Sequence, residues 1–165
     1  MPTNIIIREF TKNDIAQVLE VWNEIVEAGI SFPQIEKLDP GSAVKFFAEQ
    51  SFTGVAENTV TQQVLGLYIL HPNNIGRCGH IANASYAVKS AERGQHIGEQ
   101  LVLHSLAKGK ELGFRIMQFN AVVKMNYAAI HLYEKLGFTK LGIIPGGFLM
   151  KNGTYEDMIP FYKVL

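Results

Sequence analysis

Apolar residues recur along this chain in two rhythms, and the switching between them outlines an α/β fold. Ile5-Ile6-Ile7 opens a short β-branched strand. Thr11 with Asp14 three residues on resembles a capping box, and Ile15, Val18, Leu19, Trp22, Ile25 and Val26 then fall at helical spacing on one face. That stripe marks Trp22 as a core residue. The helix is expected to stop near Gly29, since glycine tolerates the left-handed backbone that ends helices. Asp39-Pro40 reads as an N-cap followed by proline at the first helical position, opening a short helix with Val44, Phe46 and Phe47.

Three consecutive strand-like runs follow, Phe52 to Glu57, Val64 to Leu70 and Ile81 to Val88, with the turn His71-Pro72-Asn73-Asn74 before the third. From about Gln95 to Leu112 the rhythm becomes helical, with Gly98, Leu101, Val102, Ser105, Leu106, Gly109 and Leu112 on the packed face. Arg115 to Val123 is a strand, Asn126 to Leu136 a helix, and Thr139 to Ile144 and Asp157 to Val164 are closing strands. Strands joined through helical crossovers of about 20 residues imply parallel, right-handed connections. The expectation is a mixed sheet, antiparallel in its first half, with helices on both faces.

Composition narrows the function. With 165 residues, 47% of them hydrophobic, the chain suits one domain over residues 1–165 with a substantial core. Basic and acidic residues balance at 15 each, which argues against a partner held by phosphate-backbone attraction, so no nucleic acid is expected. Cys78 is the only cysteine, so neither an internal disulfide nor a cysteine-based zinc site can be built, and His71, His104 and His131 show no metal-ligand spacing. No apolar run approaches the ~18 residues of a membrane span. Met1-Pro2-Thr3-Asn4 lacks the start of a leader. A cytoplasmic protein is the default expectation.

The chemistry concentrates after Val88. Arg93-Gly94-Gln95-His96-Ile97-Gly98 lies between a strand and a helix, where unpaired N–H groups and the helix dipole favour an anion. Gly94 as a plain turn and Gly98 as a packing residue are the blander explanations. Some thirty residues on comes Asn126-Tyr127-Ala128-Ala129-Ile130-His131-Leu132-Tyr133-Glu134-Lys135-Leu136-Gly137-Phe138. Together the two segments resemble the signature of the GNAT N-acetyltransferase superfamily. It consists of an Arg/Gln-x-x-Gly-x-Gly/Ala loop and then Asn-x-x-Ala-x-x-x-Tyr-x-x-x-Gly-Phe. The phrases His80-Ile81-Ala82-Asn83-Ala84, Gln118-Phe119-Asn120-Ala121-Val122-Val123 and Pro145-Gly146-Gly147-Phe148 resemble the branch that acetylates small, amino-acid-like amines.

The resemblance implies a GNAT-like sheet with a parallel, splayed pair of strands in the middle. It implies acetyl-coenzyme A as cofactor, a small-molecule amine as acceptor, and a homodimer as the candidate assembly. Backbone N–H groups of Arg93, Gly94, Gln95, His96, Ile97 and Gly98 would hold the pyrophosphate. Tyr86, Ala87 and Val88 would pair with the pantetheine arm, Asn126 would bond its amides with Ala129 alongside, and Tyr133 would protonate the departing thiolate. Asn126 and Tyr133 stand seven residues apart, two turns along one helix face or about 10.5 Å. Glu27 and Phe32 would wall the acceptor site, with a plain surface loop as the equal alternative. His96 departs from the pattern, standing where the loop usually has a second glycine. Its side chain would crowd the phosphates or itself meet a phosphate oxygen, and a helical backbone would keep its N–H in place.

The acceptor end rests on Asn83 and Asn120, each interrupting an apolar central strand. A buried amide without partners costs roughly 1–3 kcal/mol, so each is either tied to neighbouring backbone or faces the cleft, holding a substrate carboxylate or the acetyl oxygen. No Asp or Glu occurs between Glu57 and Glu92, so those strands offer no carboxylate base. Deprotonating an alkylamine of pKa near 10.4 costs roughly 4.6 kcal/mol at pH 7, an α-amino group only about 1–1.4 kcal/mol. His80 and a bound water are both candidates for the base. A protein or peptide acetyltransferase and a non-catalytic acyl-coenzyme A-binding module are the alternatives, and retention of Tyr133 weighs against the second.

Overall fold

The computed structural model describes residues 4–165; residues 1–3, read above for a leader, lie outside them. β1 (Ile5–Glu9) leads through a single 3-10 turn into α1 (Ile15–Ala28) and α2 (Pro40–Ala48). β2 (Phe52–Asn58), β3 (Val64–Pro72) and β4 (Ile81–Val88) follow, then α3 (Ile97–Glu111), β5 (Ile116–Val123) and α4 (Tyr127–Lys135). β6 (Thr139–Lys140), β7 (Ile144–Leu149) and β8 (Tyr155–Val164) close the chain. All eight strands join one sheet in the order β1-β2-β3-β4-β5-β8-β6, with β7 paired to β8.

The helix starts follow the local chemistry. The Thr11 N–H donates to the Asp14 carboxylate at 2.7 Å. Arg8 grips the same carboxylate with two bonds of 2.8 Å and reaches Glu57 on β2. The Arg8 hydrogen bond holds the Asp14 acid below its usual range. Asp39 accepts from the N–H groups of Gly41 and Ser42 at 2.9 and 3.0 Å, with Pro40 at the first helical position. Gly29, at φ 64°, ends α1.

β3 is covered on both faces, so alternate residues serve two cores. Leu67 and Ile69 pack with Trp22, Phe47 and Val55 beneath α1 and α2. Tyr68 and Leu70 pack with Leu101, Met117 and Phe161 beneath α3 and α4. Helices therefore cover both faces, as expected.

Several boundaries differ from the sequence reading, among them the end of β3, which runs on through His71 and Pro72 because its ladder with β4 continues there. α3 begins at Ile97 rather than Gln95, because His96 takes a left-handed backbone and serves as its N-cap. Leu112, placed on the packed face by its spacing, is 46% exposed, since it lies past the helix end. The expected strand from Thr139 to Ile144 divides into β6 and β7 around Gly142, whose φ of 150° interrupts it. β8 starts at Tyr155, two residues before Asp157, because it forms a hairpin with β7. Parallel pairing is confined to β4 and β5; β8 inserts between β5 and β6 and runs antiparallel to both.

Candidate active site

β4 and β5 are in register only at Ile81↔Ile116 and Ala82↔Met117. Beyond Ala82 they part. On its other side β4 stays paired with β3 from Pro72↔Ala82 to Gly66↔Val88. The edge of β4 facing β5 therefore presents unpaired backbone groups at Tyr86 and Val88, while Ala87 between them turns its own toward Leu67 on β3; such an edge is a template for an extended ligand. The tyrosine side chain does not enter this edge: the Tyr86 hydroxyl and Ser105 Oγ hydrogen-bond at 2.7 Å inside the fold.

Next to the end of that edge lies the turn into α3. Gly94 sits at φ 82°, and a Cβ there would meet nothing within 4 Å, so the backbone is open to an approaching group. At Gly98 an added Cβ would come no nearer than 4.0 Å, to Val88. Packing therefore does not require glycine at that position. The first-turn N–H groups of α3 lie beyond the reach of its own carbonyls, as at any helix start. His96 sits at φ 60°, ψ 17° rather than in the helical backbone expected, and its imidazole leans to Glu99 at 3.4 Å and is 79% exposed. Lys135 from α4 pairs with the Glu99 carboxylate at 2.7 Å and lowers its pKa. The open edge, the uncrowded turn and the free helix start suit a long ligand with a phosphate end.

The Asn126 side-chain carbonyl accepts the N–H of half-buried Ala129 at 3.3 Å, so it is the N-cap of α4. Its amide N–H groups remain for a ligand carbonyl. Tyr133, two turns on, is buried against Phe119, with ring centroids 4.5 Å apart. Burial pushes its phenol well above the usual value, and its hydroxyl makes no hydrogen bond among the described residues. A phenol so placed stays protonated at neutral pH and keeps its proton available.

Asn83 and Asn120 come together, through a residue read from the sequence only as a turn. Asn73 Oδ1 accepts from Asn83 Nδ2 at 3.2 Å and from Asn120 Nδ2 at 2.6 Å. Gln118 Nε2 donates to Asn120 Oδ1 at 3.1 Å. Four amides thus gather where β4 and β5 part. His80, the titratable candidate, is exposed at the start of β4, its backbone carbonyl bonded to Arg115.

Glu27 and Phe32 lie elsewhere. They line a pocket of about 390 Å³ between the end of α1 and the hairpin residues Leu149, Met150 and Lys151. Phe32 is 6% exposed and packs on Trp22 at 4.5 Å, so it belongs to the core as much as to the pocket wall. Glu27 is exposed, 3.6 Å from Lys37. None of the four clustered amide residues lines this pocket. The hairpin's share in it was invisible in the sequence, because only the pairing of β7 with β8 carries it there.

The site is thus a cleft between two splayed parallel strands, flanked by a helix start and a buried tyrosine. The Acetyltransferase (GNAT) family model matches residues 18–138. The N-acetyltransferase aca1 of Schizosaccharomyces pombe is 31% identical over 151 residues, covering 82% of this chain and 72% of that protein. A GCN5-related N-acetyltransferase from Kribbella flavida superposes with a TM-score of 0.91 at 30% identity, covering 100% of both chains. The GNAT superfamily phosphinothricin acetyltransferase from Sinorhizobium meliloti, in complex with AcCoA, gives 0.90 at 19% identity, covering 98% of this chain and 89% of its own. The chain belongs to the GNAT acetyltransferase family and is an acetyl-coenzyme A-dependent acyltransferase. No helix of the described residues is long and apolar enough to cross a membrane.

Proposed function

We propose that this chain, acting as one domain over residues 1–165, acetylates the amine of a small, amino-acid-like molecule. The observation that carries this reading is the convergence of Asn83 and Asn120 at the parting of β4 and β5, among neutral amides. An acidic pocket would suit a polyamine; amide donors suit a carboxylate beside the amine. The likeness to the phosphinothricin acetyltransferase is one of fold.

Acetyl-coenzyme A supplies the acetyl thioester: the acceptor nitrogen bonds to the acetyl carbon, the carbon–sulfur bond breaks, the amine loses one proton and the thiolate gains one. The backbone from Arg93 to Gly98 holds the pyrophosphate. The open edge at Tyr86 and Val88, with Asn126 and Ala129, holds the arm. Asn83 and Asn120 orient the acceptor and stabilise charge on the acetyl oxygen, with a second N–H on each amide free for the purpose. Tyr133 gives its proton to the leaving sulfur. Glu27 and Phe32, in their separate pocket at the end of α1, take no part in this scheme.

Thiol release from acetyl-coenzyme A, measured with a panel of amino acids, polyamines and peptides, tests the reading. Amino acids are expected to give the highest kcat/KM. A preference for spermidine or for histone-like peptides sinks the substrate class.

A further inference from the structure

We propose that Asn73 is a positioning residue: its side-chain carbonyl sets the orientation in which Asn83 and Asn120 present their amides to the acceptor. This rests on the acceptor site proposed above. Asn73 stands just past the end of β3, and its N–H is fixed to the Ile81 carbonyl at 2.8 Å. From there its side chain reaches Asn83 on β4 and Asn120 on β5, beyond the last paired position, Ala82↔Met117. It therefore links the two strands at the point where they separate.

An amide group has two faces that differ only in which end donates. Left alone, the Asn83 and Asn120 side chains could rotate and present carbonyl or NH₂ with little preference. One shared acceptor removes that freedom from both at once. Each NH₂ turns one N–H to Asn73 and keeps the other. Gln118, donating to Asn120 Oδ1 at 3.1 Å, fixes the far end of the chain in the same sense. Asn83 is half-buried and Asn120 exposed, so solvent alone would not hold them, and a turn residue serves as their anchor.

The test pairs a structural readout with kinetics. In ¹⁵N-labelled protein, the side-chain amide protons of Asn83 and Asn120 should each include one shifted downfield and slowed in exchange. N73A should abolish both signatures while the melting temperature and acetyl-coenzyme A affinity stay near wild type. With the amino acid that the panel ranks first, N73A should lower acceptor kcat/KM by about tenfold or more, as loss of orientation does. N73D, which keeps an accepting oxygen in place, should restore the amide signatures and most of kcat, with a higher KM for a carboxylate-bearing acceptor.

Unchanged amide signals and kinetics in N73A overturn the proposal. So does a lower acceptor KM in N73A, which would make Asn73 a competitor of the acceptor rather than its support. Equal losses of stability and turnover in N73A and N73D reduce it to a turn residue. N83A and N120A separate the two levels. If they behave as wild type, or if no amino acid is acetylated, the acceptor site itself falls; if they lose activity while N73A does not, only this inference falls.

Discussion

The two sides of β4 teach different things. Toward β3 it is paired over seven positions, from Pro72↔Ala82 to Gly66↔Val88; toward β5 over two. The first side is scaffold. Every backbone group there has a partner, and the strand's position is fixed by β3, itself buried on both faces. The second side leaves its hydrogen-bonding groups open, and the residues proposed for chemistry border that opening. A backbone group left unpaired inside a protein is costly, so the gap persists because β3 holds β4 and β8 holds β5. The rigid side makes the open side affordable.

The largest effect that can test this division falls on the open side. Replacing Asn83 or Asn120 with alanine should lower turnover with amino-acid acceptors by ~10²-fold or more, the scale seen when a positioned donor to a developing negative charge is lost. Acetyl-coenzyme A affinity, measured by titration, should hardly move, because the proposed cofactor contacts come from other residues. Wild-type kinetics in both variants would return these asparagines to a purely structural role.

Tyr133→Phe should lower kcat by about 10–10²-fold with little change in cofactor affinity, since the proton matters chiefly as the thiolate departs. Burial raises the phenol's pKa, so its ionisation should not shape the rate profile near neutral pH. The sign for stability follows. In the unfolded chain the phenol loses its proton near pH 10, whereas the buried phenol keeps it. Stability from this group is full below about pH 10 and declines above it. Chemical denaturation across that range should show a smaller alkaline loss in Tyr133→Phe than in wild type.

The closed side is tested through packing. A Cβ on Gly66 would come within 2.8 Å of the Ala87 carbonyl oxygen, a backbone atom that cannot turn away. Gly66→Ala should cost about 1–3 kcal/mol, lowering the melting temperature by roughly 3–10 °C. Its kcat with the best acceptor, measured well below that transition, should fall less than threefold if scaffold and site are as separate as the pairing implies. A tenfold fall in an otherwise folded protein would mean that the β3–β4 spacing tunes the cleft directly.

Much of this division was legible in the sequence. The stripe of α1, the Asp39-Pro40 helix start and the signature from Asn126 to Phe138 each rest on neighbours along the chain. They came through intact. The order of the closing strands did not, because a two-residue strand such as β6 carries no periodicity. Only contact with β8 decides its place. Asn73 was missed for a related reason. Pro-Asn-Asn is ordinary turn chemistry, and the two amides it binds are 10 and 47 residues away. Asn83 and Asn120 could be singled out because each breaks an apolar run, but nothing along the chain shows that they share an acceptor. The left-handed backbone of His96 was marked only by the resemblance, in which that position usually holds glycine; the histidine itself carries no sign of it.

That last residue gives the smallest expected effect and the finest test of the open side. Histidine tolerates the left-handed region better than most residues, yet a Cβ there still costs about 1–2 kcal/mol. His96→Gly relieves that strain, partly offset by the added freedom of the unfolded chain. A net gain of about 1 kcal/mol corresponds to a rise of some 2–4 °C in melting temperature. The lost approach to Glu99, at 3.4 Å and on the surface, should count for little. His96→Ala keeps the strained Cβ and removes the imidazole, so its melting temperature should not rise. The pair also separates two modes of phosphate contact. If the loop holds the pyrophosphate through backbone N–H groups, His96→Gly should bind acetyl-coenzyme A within about twofold of wild type, because glycine adopts φ near 60° freely. An imidazole contact with the phosphate predicts an equal loss of affinity in both variants. Calorimetric titration of the two proteins beside wild type decides between these outcomes.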